Sequence, residues 1–162
     1  MSKKNPDLGL ADDGRKGVID ILNTLLADEF VLYTKTRNYH WNVVGPAFSQ
    51  LHKFFESQYE ELDEVIDEVA ERARALGGRA AGSLGEFSRL TRLKEASSES
   101  AASAMSMIAD LLSDHEAVIR NLRKVLSVVG DEHGDAGTND FLTGLVEQHE
   151  KMAWMLRAHL EA

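Results

Sequence analysis

An all-α four-helix bundle is the fold that the sequence predicts, and three observations predict it. Apolar residues recur at three- and four-residue spacing through four long stretches, alternating runs rich in Val, Ile and Thr are missing, and only two prolines interrupt 162 residues. The first helix runs from about Arg15 to Asn42, carrying Val18, Ile21, Leu22, Leu25, Leu26, Phe30 and Tyr33 on one face behind a cap at Asp12 or Asp13. Gly45-Pro46 ends it, and the next stretch, Ala47 to Leu76, holds neither Gly nor Pro, so the second helix spans about 45 Å before Gly77-Gly78 stops it. Ser83 followed by Glu86 has capping-box spacing and opens a short crossover helix bearing Leu84, Phe87 and Leu90. The third long helix is expected over Ser98 to Val129, ended by Gly130. The fourth is expected to start from an N-cap at Thr138 and to carry Phe141, Leu142, Leu145, Met152, Leu156 and Leu160. Residues 1–14 read as a short tail and 15–162 as one domain.

Composition narrows the function. The chain holds no cysteine, so disulfides, thiolate nucleophiles, zinc fingers and iron–sulfur clusters are excluded, and any metal is expected to bind through nitrogen and oxygen. A net charge of −9 opposes indiscriminate contact with phosphates and favours cations. No apolar run reaches the roughly 20 residues of a membrane span, and the N-terminus lacks a signal-like apolar stretch, so a cytoplasmic location is expected. Neither Gly-x-Ser-x-Gly nor Gly-x-x-x-x-Gly-Lys occurs, which removes the usual hydrolase and nucleotide signatures.

The chemistry gathers on the second long helix. Eight acidic residues and no basic one lie between Glu56 and Glu71, and like charges at helical spacing repel unless compensated. Glu60, Glu61, Glu64 and Glu68 read equally well as a solvated face. His52, Glu56, Asp67 and Glu71 project from nearly one side, as two pairs separated by roughly 22 Å. A metal needs its ligands at about 2.0 to 2.2 Å, so neither pair completes a site within one chain. Antiparallel packing of this helix on its copy across a two-fold axis brings the His52–Glu56 end to the Asp67–Glu71 end and creates two equal sites. His40 joins them, because Pro46 is the midpoint between His40 and His52 and a hairpin there sets both imidazoles at one level. The competing reading is a hydrogen-bonded histidine pair without metal. Imidazole and carboxylate donors suit Fe(II), Mn(II) or Zn(II), and the Glu-x-x-His motif of a di-iron site inside a single bundle is absent.

His40-Trp41-Asn42, Gly45, Phe48, Leu51-His52 and Asp67-Glu68-Val69-Ala70-Glu71-Arg72, followed by Gly77-Gly78, strongly resemble the signature of the Dps family, the ferritin-like proteins of starved cells, over nearly the whole chain. The resemblance implies a ferritin-like bundle with a short helix between its second and third long helices, and a hollow dodecamer. It implies a ferroxidase with a di-iron site at each two-fold subunit interface, no haem, and storage of iron oxidised by hydrogen peroxide or oxygen as protection against oxidative damage. His40, His52 and Glu56 would come from one subunit and Asp67 and Glu71 from the other, with Glu56 standing where the family more often has Asp. Trp41 would contact the site, scavenge a radical or simply pack.

By the same resemblance, the Gly130 to Asp140 turn lines a three-fold pore, with Asp135 and Asp140 as candidate iron-guiding carboxylates. Direct DNA binding is disfavoured because Lys3 and Lys4 are outnumbered by Asp7, Asp12 and Asp13, although avidity or metal bridging keeps it open. The rival function is a DNA-compacting architectural shell with structural metal sites. Met105, Met107, Met152 and Met155 read as packing residues, and His115, His133, His149 and His159 as surface or partly buried ones.

Overall fold

The structure, a computed structural model, describes residues 6–96 and 103–161. Five α-helices follow one another: α1 (Asp12–Asn42), α2 (Phe48–Ala75), α3 (Leu84–Leu90), α4 (Ala104–Ser127) and α5 (Ala136–Ala158), with a π-helical turn, Val128–Glu132, between the last two. Helix α1 packs on α2 and α4, and α5 packs on α4 and α2, so the four long helices form a square; short α3 lies against α1. The result is the expected four-helix bundle with a crossover helix. Its core includes Leu22 and Leu25 of α1, Ile108, Leu111 and Val118 of α4, and Leu142, Leu145 and Leu156 of α5 from the predicted stripes, joined by Leu32 of α1 and Phe55, Leu62 and Val69 of α2; Ile21, Phe30, Tyr33 and Phe141 of those stripes are only partly buried against it. Burying each such side chain contributes about 1.5–3 kcal/mol, and this driving force holds the helices together.

Local chemistry fixes the ends. Helix α1 begins three residues before Arg15, behind Ala11 rather than an acidic cap; Asp12 and Asp13 lie in its first turn, where carboxylates complement the helix dipole. Arg15 is buried and reaches across to donate to the Leu76 carbonyl at 2.9 Å, tying the start of α1 to the end of α2. That end closes in a Schellman motif: Gly77 has φ +84°, its N–H bonds the Arg74 carbonyl, and the Gly78 N–H bonds the Ala73 carbonyl. A variant of the capping box forms at α3: Ser83 accepts from the Glu86 N–H as expected, while Glu86 reaches one residue further back to accept from the Gly82 N–H and also accepts from the Ser83 hydroxyl. The hydrogen bond from Arg79, then those from Gly82 and Ser83, hold the Glu86 carboxyl down to about 2.

Two further boundaries differ from expectation. Gly130 does not end the third long helix; the chain continues through one wide π-turn and reverses at Gly134, φ +68°. Glycine is needed at 130 because a Cβ there would lie 2.5 Å from the Asn139 side-chain nitrogen, which donates to the Leu126 carbonyl. The cap of α5 is Asp135, whose carboxylate accepts from the Thr138 N–H at 2.9 Å, while Thr138 itself is buried inside the first turn. At the start of α4, Ser103 is the N-cap, accepting from the Ser106 N–H; the expected beginning at Ser98 lies outside the described residues.

The bundle interior also holds charge. Asp28, fully buried, accepts from the Thr91 hydroxyl, the Arg92 N–H and the Arg92 guanidinium, clamping the exit of α3 onto α1. Lys35, 4% exposed, meets Asp114 at 2.6 Å and Asp110 at 3.2 Å. Deepest is a chain of three fully buried groups from three helices. Glu29 Oε1 lies 2.9 Å from His149 Nε2, and His149 Nδ1 lies 3.0 Å from His115 Nδ1. The expectation that His115 and His149 sit at or near the surface is therefore corrected: both occupy core positions, one turn from Leu111 and Val118 and from Leu145 and Met152 respectively.

Burial, then the neighbouring His149, pushes His115 well below the ordinary histidine value of 6.5. Below about pH 6.5 the unfolded chain therefore binds a proton that the native chain refuses, so native stability falls as the pH drops. Urea midpoints measured from pH 7.5 to 5 are expected to fall in the wild type, and to fall less steeply in His115→Leu. Packing supplies a second expectation. A Cβ on Gly78 would stand 2.5 Å from Ile19 Cγ2, so Gly78→Ala destabilises the chain by about 1–3 kcal/mol, read as a lowered Tm.

Candidate metal centre

The α1–α2 hairpin builds the site from the inside out. Val43, 1% exposed, anchors the turn and its N–H bonds the Tyr39 carbonyl; Gly45 then takes φ +115°, and the Phe48 N–H returns to the Gly45 carbonyl. This reversal brings His40, the last buried residue of α1, level with His52 in the first turns of α2, as the Pro46 midpoint requires. The two imidazoles stack with centroids 3.7 Å apart and planes inclined by 20°. Each ring also bonds the other's backbone: His40 Nδ1 lies 2.7 Å from the His52 carbonyl oxygen, and His52 Nδ1 lies 2.9 Å from that of His40.

A carbonyl only accepts, so both Nδ1 atoms carry hydrogen, and in the neutral rings both Nε2 atoms carry the lone pair. A backbone carbonyl that fixes the tautomer and orientation of a ring is the usual support behind a metal-ligating histidine. The arrangement thus presents two parallel, pre-aimed nitrogen donors. Glu56 follows one turn after His52, half-buried, with its Oε1 accepting from the Tyr59 hydroxyl at 3.4 Å. Burial, then the charge of Glu56, raises the Tyr59 phenol above its ordinary value, which keeps the donor protonated. The Tyr59 ring meets His40 edge-on at 5.2 Å and carries the Arg37 guanidinium over its face at 4.3 Å. Phe48 closes the other side of His52 at 5.1 Å.

Asp67 and Glu71 are exposed near the far end of α2, and 15 residues of helix, about 22 Å, separate Asp67 from His52. One chain therefore pairs His40 with His52, carries Glu56 one turn further along α2, and leaves Asp67 and Glu71 apart. Among the described residues, no group of three or more His, Asp or Glu within the chain is arranged to hold a metal ion. Glu60 and Glu64 are exposed on α2, and Trp41 is 64% exposed beside Arg37.

The two acidic candidates near α5 part company. Asp135, 4% exposed, is already engaged: it caps α5 and pairs with Arg72 Nη2 at 3.2 Å, while Arg72 Nε donates to Thr138 Oγ1 at 2.8 Å. Within the chain these contacts hold the start of α5 against α2. Asp140 is exposed and remains the candidate for a pore. Lys3 and Lys4 lie outside the described residues. Sequence reasoning missed Tyr59 and Arg37; three-residue spacing from Glu56 and from His40 was the available signal.

Residues 19–162 match the Ferritin family, described as a ferritin-like domain. The chain is 52% identical over 155 residues to an uncharacterized low temperature-induced protein of Nostoc, covering 96% of this chain and 86% of the relative. It is 39% identical over 145 residues, 90% of this chain and 97% of the relative, to DNA protection during starvation protein 2 of Bacillus anthracis. The solved Dps protein of Vibrio cholerae O1, described as one of the ferritin-like diiron-carboxylate proteins, superposes with a TM-score of 0.90 at 31% identity, over 99% of each chain. The chain thus has the bundle of the ferritin-like superfamily. Within that superfamily it belongs to the Dps family. Among the described residues, no helix is long and apolar enough to cross a membrane.

The contrast between the two aspartates is measurable. Asp135→Ala removes a helix cap and the partner of Arg72, and is expected to cost about 0.5–2 kcal/mol from the cap alone. Asp140→Ala stays within about 0.5 kcal/mol of wild type; equilibrium denaturation of both variants checks the difference.

Proposed function

We propose that this protein is a ferroxidase that oxidises Fe(II), with hydrogen peroxide as the preferred oxidant, and stores the ferric product inside a hollow dodecamer in the cytoplasm. The observation that carries the reading is the reciprocal carbonyl anchoring of His40 and His52, which occupies both Nδ1 atoms and leaves the Nε2 atoms to act as donors, with Glu56 one turn after His52. Asp67 and Glu71 of the partner subunit would complete the site across a two-fold axis. A nitrogen and carboxylate donor set fits Fe(II), and the negative oxygens favour Fe(III) over Fe(II), which lowers the potential and draws the electron out. Two irons held side by side would deliver both electrons to one peroxide and release water instead of a hydroxyl radical. Asp140 would guide cations inward, and Glu60 and Glu64 would offer oxygens to the growing mineral. The family names that mention DNA protection fit a protein that removes the reagents of radical damage.

The test loads apoprotein anaerobically with Fe(II) and follows ferric absorbance after hydrogen peroxide, with oxygen as the comparison. His52→Ala and Asp67→Ala are each expected to slow oxidation by about tenfold or more. Mixing the two inactive variants, dissociating and reassembling them distinguishes a shared site from two independent ones. A heterodimer has one doubly broken site and one intact site, so about a quarter of wild-type activity should return. Equal, slow oxidation by wild type and variants, with DNA retained at moderate salt, would replace this reading with that of an architectural shell.

A further inference from the structure

We propose that Tyr39 is a positioning residue for His40: its hydroxyl fastens the last turn of α1 to α4, and this anchor holds the two imidazoles of the hairpin in the alignment that a metal ion needs. The proposal rests on the ferroxidase reading above and names a residue that serves that site from another face of α1.

The anchor is a ladder between two helices. Lys35 and Tyr39 stand one turn apart on α1, and Asp110 and Asp114 one turn apart on α4. The Tyr39 hydroxyl donates to Asp110 Oδ2 at 2.5 Å, and Lys35 Nζ lies 3.2 Å from the same oxygen and 2.6 Å from Asp114 Oδ2. Both Tyr39 and Lys35 are buried. A helix rises about 1.5 Å per residue, so sliding α1 by one residue would disturb all three contacts together. Burial, then the hydrogen bond to Asp110 and the charges of Asp110 and Asp114, push the Tyr39 phenol above its ordinary value, which keeps the donor protonated.

Tyr39 passes this position to the metal site through its backbone. Its carbonyl accepts from the Val43 N–H, the bond that closes α1 and opens the hairpin. The next carbonyl, that of His40, faces His52 Nδ1 at 2.9 Å, and His40 Nδ1 faces the His52 carbonyl at 2.7 Å. The end of α1 is therefore held by α2 on one side and by α4 on another. Once the last turn is released from α4, a shift of about 1 Å against α2 takes either bond out of hydrogen-bonding range. An imidazole without its carbonyl is free to move its hydrogen to Nε2, the atom that must carry the lone pair for a metal. The hydroxyl itself can be removed alone: in Tyr39→Phe the ring still fills the core and Asp110 still has Lys35.

The experiment uses the whole protein with isotopically labelled histidine, the His40 and His52 resonances being assigned by their loss in His40→Ala and His52→Ala. Solid-state nuclear magnetic resonance of the metal-free protein reads which ring nitrogen carries hydrogen, and calorimetric titration with Co(II), which peroxide-free buffer leaves unoxidised, reads the affinity of the site. Wild type is expected to hold both rings as Nδ1–H. Tyr39→Phe should shift them toward Nε2–H and weaken Co(II) binding by about tenfold. Asp110→Asn, whose side-chain oxygen still accepts from the hydroxyl, should keep both properties, and so should Val118→Ala, a truncation in the buried core of α4 that lowers Tm. Unchanged tautomers or unchanged affinity in Tyr39→Phe overturns the proposal and leaves the metal site standing. An equal loss in Val118→Ala or Asp110→Asn also overturns it, because stability or charge would then govern the site. If wild type binds no Co(II), the ferroxidase reading and the proposal fall together.

Discussion

Two imidazoles, each donating its Nδ1 hydrogen to the other's backbone carbonyl, set the register of α1 against α2. The hydrogen bonds are short and reciprocal, so sliding either helix by one residue would break both and leave polar groups stranded at the mouth of the core. Everything chemical about this chain depends on that pairing. It fixes the orientation of both rings, and Tyr59 links the pair to Glu56 by meeting the His40 ring and donating to the carboxylate. It also explains why the hairpin turn is built as it is: Val43 is buried and Gly45 adopts a positive φ because the chain must reverse within a few residues while two rings meet face to face.

At the other end of α2, a different set of contacts does similar work. Arg72 follows Glu71 directly and is held by Asp135 and Thr138 at the start of α5. The acidic stretch of α2 is thus anchored by a cation from its own helix, which fixes the backbone that carries Asp67 and Glu71 while leaving both carboxylates exposed. The Schellman motif at Gly77-Gly78, the close packing of Ile19 against Gly78 and the hydrogen bond from Arg15 to Leu76 hold the end of the helix in place. Both candidate half-sites therefore sit on rigid helix, about 22 Å apart, a spacing suited to sharing with a second copy and unsuited to closing on itself.

The interior raises a separate question of charge. Asp28, Glu29, Lys35 and Asp114 are buried along α1 and α4, and each finds an opposite charge or a histidine. Such pairs add less stability than well-packed apolar side chains, because removing the charges from water offsets most of their attraction. Their contribution here is positional: Asp28 clamps the crossover, and the Glu29–His149–His115 chain ties three helices together at one depth.

Much was legible from the residues alone. The three- and four-residue apolar spacing determined the helices, Ser83 and Glu86 the capping box, Pro46 the meeting of His40 with His52, and 15 residues of helix the separation of the two carboxylate-bearing ends. These follow from helix geometry, which is local and regular. Side-chain partners across the bundle were decided only by the tertiary structure, because spacing along one helix says nothing of what faces it from another. That is why Asp135 became a cap and the partner of Arg72, why His115 and His149 moved to the core, why the chain passed Gly130 in a π-turn, and why Tyr59 came to lie between Arg37, His40 and Glu56.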